Sequence, residues 1–182
     1  VLTATVWTYW FCVGIMVVRV RRKTRKLSGV VPKQRLEQFM WLVWVPLVFA
    51  WMALPYLAAT GARAAWALPA FADAPGYLTL RWIAALVAVA CLVLTIECWL
   101  RMGKNWRMAV TPDQQTDLVT SGLYGHIRHP IYALSILLML CSALVVPTMP
   151  MVVVATVHVL LMIVKARNEE RFLPGAKGEA YA

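Results

Sequence analysis

Residues 131–164 read IYALSILLMLCSALVVPTMPMVVVATVHVLLMIV, thirty-four positions without a formal charge. As one straight helix the stretch would reach about 51 Å at 1.5 Å per residue, against a bilayer hydrocarbon core of about 30 Å. Pro147 and Pro150 stand in its middle, and proline inside a helix removes a backbone donor and clashes with the preceding turn. A helical hairpin satisfies both facts, with one arm over Ile131–Val146 and the other over Met151–Val164. Each arm is short for a full span, so the tip is expected to stop below the far surface. The second arm is predicted to continue as a polar helix through Lys165–Leu173. A hairpin returns the chain to the level it left. The stretches GLYGHIRHPIY (122–132) and RNEERFL (167–173) should therefore be neighbours in space.

Working outward, three more apolar runs precede the hairpin. Val1–Val18 carries no charge and ends in the basic run Arg19, Arg21, Arg22, Lys23, Arg25, Lys26. A signal peptide has its positive charges before the apolar run, so this segment reads as a retained helix. Gln38–Ala62 is a second charge-free run, with kinks expected at Pro46 and Pro55. Gly61–Thr79 reads as a loop, and Leu80–Leu100 as a third span with Arg81 and Glu97 near its two ends.

Composition agrees with a membrane protein. Of the 182 residues 62% are hydrophobic and 14% charged, with a mean hydropathy of +0.69. Soluble domains are about 45–50% apolar and about 25% charged. This excludes an ordinary soluble enzyme, a disordered tail and a disulfide-stapled secreted module. The net charge of +10 would suggest nucleic acid in a soluble protein. Here it divides by topology instead, and no fold is left to carry nucleic-acid binding. Five segments with the N-terminus outside place sixteen of the eighteen Lys and Arg on the cytoplasmic side, leaving Arg63 and Arg81 outside. That is the positive-inside pattern. The expected fold is thus an all-α integral membrane protein of five transmembrane segments, C-terminus cytoplasmic. Residues 1–100 form three helices with a basic cytoplasmic loop at 19–38. Residues 101–182 form a core of polar loop, hairpin 131–164 and C-terminal polar helix.

The chemistry is expected where the two polar segments meet. Pro130 stands where a helix should begin, and proline is favoured at that position. The free N–H groups there, with Arg128 and His129 beside them, make a place for a carboxylate or phosphate. Tyr124 and Tyr132 offer ring faces and hydroxyls. Glu169 and Glu170 are the only adjacent acidic pair. They diverge by about 100° on a helix, so one is expected to pair with Arg167 or Arg171 while the other faces Arg128 and His129. A solvated helix end and an interfacial belt of basic and aromatic residues are the plain alternatives for these groups. Glu97 and His158 are intramembrane polar groups, able to pair with each other or to be satisfied locally. Cys12, Cys91, Cys98 and Cys141 have no metal-ligand or redox spacing. His126 and His129 lack further ligands, so no metal site is expected.

At these residues the chain becomes recognisable. Gly122, Tyr124, Arg128, His129, Pro130 and Tyr132, then an apolar hairpin, then Glu169, Glu170, Leu173, Gly178 and Tyr181 resemble the isoprenylcysteine carboxyl methyltransferase family, whose wider group includes phospholipid N-methyltransferases. The upstream MGKNWR (102–107) is similar to a family segment that enters the cofactor loop. The resemblance covers about residues 100–182. It departs from the family at Ala133 and Leu134, where a glycine is common, and at Pro174, which should end the last helix early.

The resemblance implies an enzyme that uses S-adenosylmethionine, releases S-adenosylhomocysteine, and methylates a lipophilic or prenylated acceptor (a carboxylate, thiol or amine) arriving from the bilayer. The implied cofactor residues are Lys104, Tyr124, His129, Pro130, Tyr132, Glu169 and Glu170, with Trp106 a further possible wall for the adenine. Arg128 and Arg167 are the implied catalytic cations, with Lys165 competing for the role of Arg167. The implied location is a bacterial or archaeal inner membrane, with the site facing the cytoplasm. The alternatives are a membrane reductase with a related helical core, which would need a nicotinamide cofactor, and a non-enzymatic scaffold or channel.

Overall fold

A computed structural model describes residues 1–24, 32, 34–61, 66–103, 106 and 119–177, with side chains described as far as Arg22 in the first segment and Arg171 in the last. Among them are five α-helices: α1 (Leu2–Thr24), α2 (Arg35–Thr60), α3 (Pro75–Met102), α4 (Pro130–Val145) and α5 (Met149–Lys177). Four of these, α1, α2, α3 and α5, contain stretches long and apolar enough to cross a membrane, and α4 is a shorter apolar helix of 16 residues. The all-α architecture and the helical hairpin stand as the sequence implies, and the chain is an integral membrane protein.

Helix α2 starts at Arg35 rather than Gln38, so the end of the expected loop 19–38 is helical, and three further element ends differ from expectation, each for a local reason. Helix α1 runs on through Arg19–Arg22, because long basic side chains keep their charges wet while their stems stay on the helix. Helix α3 starts at Pro75 rather than Leu80. Proline at the first position is pre-set for the helical φ, and a short 3₁₀ turn at Ala70–Asp73 leads into it. Helix α5 takes in Pro174 and ends at Lys177, so Pro174 does not end it. The missing donor falls in the last turns, where only a few bonds remain to be lost. Helix α2 is likewise continuous through Pro46 and Pro55.

The hairpin turn occupies Val146–Thr148 and is held from outside by α3. Tyr77 Oη donates to Leu144 O (3.0 Å), and Arg81 Nε donates to Val145 O (3.0 Å). Both carbonyls belong to the last turn of α4, which no intrahelical donor can reach. Arg81 also meets Ala72 O and Asp73. One arm of the hairpin therefore lies along α3, and its tip reaches the level of the first turns of α3.

Aromatic side chains fill the centre. Tyr9 packs against Trp10, Trp51 and Trp99, and Trp51 packs against His158 at 5.2 Å between ring centroids. This set ties α1, α2, α3 and α5 together. On α4, Tyr132, Ser135, Met139 and Ser142 fall within an arc of about 80° at 100° per residue. That face looks inward. Ser135 Oγ lies 3.0 Å from His158 Nε2, and Trp51 Nε1 donates to Ser142 Oγ at 3.0 Å. His158 is thus bonded locally and Glu97 is bound to Arg101 one turn on (2.6 Å); the two do not pair with each other. Three of the four cysteines are buried and all are free.

Candidate functional site

The polar end of the hairpin starts from how its loop is seated. The C-terminal turn of α3 presents Arg101, held by Glu97. A 3₁₀ turn at Gly122–Gly125 lies directly on that guanidinium. Gly122 has φ +64°, and a Cβ there would come within 2.7 Å of Arg101 Nε. Only glycine meets both demands without strain. The turn carries Tyr124, whose hydroxyl is buried without a hydrogen-bond partner. Burial raises the Tyr124 phenol above its ordinary value, and the neighbouring Cys98 and Glu169 add to the shift. It therefore stays protonated and able to donate. His126 turns back towards Gly122 O of its own turn.

His129 is the residue before the helix and Pro130, fully buried, is its first. The proline thus starts α4 where the sequence places the start. The His129 imidazole lies nearly parallel to the Tyr132 ring, 5.5 Å between centroids.

Helix α5 supplies the acidic groups. Tyr132 Oη donates to Glu169 Oε1. His129 Nδ1 stands 3.7 Å from Glu169 Oε2, and His129 Nε2 stands 3.3 Å from Glu170 Oε1. The second contact lacks hydrogen-bond geometry, and Nε2 is buried with no such partner. The adjacent glutamates diverge as helix geometry requires, yet one imidazole spans them through its two nitrogens. This differs from the expectation that one would face Arg167 or Arg171.

The segments 122–132 and 167–173 are therefore neighbours, as hairpin geometry implies. Tyr124, His129, Pro130, Tyr132, Glu169 and Glu170 come together. The cations are distributed differently. Lys165 is one turn before Glu169 and faces it at 3.6 Å. Arg167 is two residues from each, about 200° around the helix, and is exposed. Arg128 is exposed at the mouth of the loop and engaged in contacts of its own. Trp106 is buried in the core. Lys104 and the closing motif residues Gly178 and Tyr181 lie outside the described residues.

Sequence reasoning missed one member of this cluster. Glu37, in the first turn of α2, is 2% exposed and its Oε1 lies 3.3 Å from Lys165 Nζ. Beside it Asn168 Nδ2 donates to Gln34 Oε1 at 3.1 Å. The available signal was that Glu37 is the single acidic residue among the basic ones that separate α1 from α2. Adjoining the charge-free run that begins at Gln38, it read as a boundary rather than as a partner.

Comparison with known proteins bears on the part of the chain that builds the site. The model of the isoprenylcysteine carboxyl methyltransferase (ICMT) family matches residues 75–174, more than half of the chain. No curated protein and no solved structure matches it.

Proposed function

The chain belongs to the isoprenylcysteine carboxyl methyltransferase family of S-adenosylmethionine-dependent methyltransferases, and we propose that it methylates a lipophilic acceptor drawn from the bilayer, at the cluster of Tyr124, His129, Pro130, Tyr132, Glu169 and Glu170. Family membership replaces the scaffold and reductase alternatives. The acceptor class supported by the family is a prenylated molecule.

The observation that carries the site assignment is a pair of buried polar atoms without hydrogen-bond partners, Tyr124 Oη and His129 Nε2, next to the half-exposed carboxylate of Glu170. Buried polar groups are satisfied in the great majority of cases. Trp10 Nε1, Trp44 Nε1, Thr148 Oγ1 and His158 Nδ1 are buried without hydrogen-bond partners as well, but Tyr124 Oη and His129 Nε2 are the two that lie beside exposed charged groups at the polar end of the hairpin, where a polar ligand can meet them. The residues fit the cofactor's amino-acid end, which needs a carboxylate for its ammonium and an anion site for its carboxylate. Glu170 supplies the first. The free N–H groups at the start of α4, with Arg128 nearby, supply the second. Tyr132 and Tyr124 offer ring surface to the adenine.

When bound, S-adenosylmethionine supplies an electrophilic methyl group on a sulfonium. The chain's own task is to position and to exclude water. The Tyr132–Glu169 hydrogen bond fixes α4 against α5. His129 is held between the two carboxylates. Of Lys165 and Arg167, the candidate cations on α5, Lys165 shares the face of Glu169 and is the better placed to orient an acceptor; Arg167 and Arg128 stand at the exposed edge, where they would meet headgroups or an approaching anionic acceptor. Under the five-segment topology expected from the sequence, sixteen of the eighteen basic residues fall on one side, which supports a cytoplasmic site.

Membranes containing the protein, incubated with methyl-labelled S-adenosylmethionine and then extracted, test this reading. Label is expected in a lipid-soluble product and absent with Glu170→Ala. Label retained at wild-type level by that variant rules out the site.

A further inference from the structure

We propose that Glu37 is a positioning residue of the methyl-transfer site, acting through Lys165. The inference rests on the site assignment above. Glu37 belongs to α2, outside the matched residues 75–174, so it enters the site from a part of the chain that the family match does not describe.

The geometry is a chain of charged and polar groups. Glu37 Oε1 to Lys165 Nζ is 3.3 Å, Lys165 Nζ to Glu169 Oε1 is 3.6 Å, and Tyr132 Oη donates to the same Glu169 oxygen. His129 meets the other Glu169 oxygen at 3.7 Å. Lys165 is 14% exposed and Glu37 2%, so little water intervenes to screen them, and pairs in such surroundings interact more strongly than surface pairs. The position of Glu37 in the first turn of α2 favours its negative charge there.

One ammonium is thus shared by two carboxylates from different helices. With Glu37 present, Lys165 is held between them and Glu169 keeps its hold on Tyr132 and His129. With that charge removed, Lys165 collapses onto Glu169 and draws it from the groups that line the cofactor site. The neighbouring Gln34–Asn168 hydrogen bond joins the same two helices without charge, and serves as the internal control for a role in packing alone.

The test uses purified full-length protein and S-adenosylhomocysteine, with affinity read by calorimetry and folding by thermal melt. Glu37→Gln is isosteric and is expected to weaken binding about tenfold, within the coupling range for residues in one charge network. Lys165→Met is expected to weaken it as well. The double variant, which removes both charges and leaves neither buried alone, should bind no more weakly than the weaker single variant. Gln34→Ala should lower the melting temperature and leave affinity within about twofold. Glu37→Asp keeps the charge and should recover most of the affinity that Glu37→Gln loses. Wild-type affinity in Glu37→Gln, or a double variant whose loss is the product of the two single losses, overturns the proposal. If Glu170→Ala loses binding while Glu37→Gln does not, the site stands and only the role of Glu37 falls. If wild type does not bind, or Glu170→Ala binds normally, the site assignment itself falls.

Discussion

Gly122 and Gly125 bracket Tyr124 and are not equivalent. At Gly122 the strain is in the backbone, at φ +64°, and the obstacle is the end of a flexible arginine. Alanine there should lower stability by about 1 kcal/mol, the usual penalty for a left-handed residue with a side chain, while Arg101 swings aside. At Gly125 a Cβ would lie 2.9 Å from Thr120 O, and a backbone carbonyl yields only if the whole turn moves. Gly125→Ala should therefore shift Tyr124 and weaken S-adenosylhomocysteine binding several-fold more than Gly122→Ala does. Parallel melts and titrations of the two variants check the ordering; equal binding losses would contradict it. The sequence places Gly122 in the family motif and Gly125 beside it, but it does not distinguish their roles. What gives them meaning, the Arg101 guanidinium beneath one and the Thr120 carbonyl beside the other, is set by long-range packing that no local pattern encodes.

Among the elements, α4 is the one that everything else serves. Its two ends were legible: Pro130 starts it, and the charge-free stretch broken by Pro147 and Pro150 implies the return of α5. Its inner face was not. Tyr132, Ser135 and Ser142 are spaced to share that face, but their partners come from α2 and α5, and those pairings depend on how the helices pack. Ser142 accepts from Trp51 while donating to Leu138 O, so Ser142→Ala leaves the Trp51 N–H buried and unpaired. An unsatisfied buried donor costs about 1–3 kcal/mol. The variant is expected to melt at a lower temperature with S-adenosylhomocysteine affinity unchanged, since Ser142 lies ten residues, about 15 Å of helix, from Tyr132. A binding loss as large as the stability loss would show that the structural and functional ends of α4 are not separable. The same limit on local reading explains Glu37: residue type and position were visible, but its partner Lys165 is 128 residues away.

For the whole molecule, one physical excess serves two ends. The apolar 62% builds the membrane helices, and it leaves the polar end of the hairpin as the place where carboxylates, an imidazole and tyrosines converge. Hairpin geometry alone brought residues 122–132 and 167–173 together, which is why most of the cluster was legible before any coordinates. The division of cations was not, because Lys165 and Arg167 differ only in which side of α5 they occupy, and that is fixed by α2. The central claim is that this convergence is the cofactor site, and titration of the purified protein with S-adenosylhomocysteine tests it most directly. Wild type is expected to bind. His129→Ala and Glu170→Ala should each weaken binding at least about thirtyfold, the loss of roughly one charge-assisted contact, with helix content unchanged. Unaltered affinity in both folded variants would contradict the account.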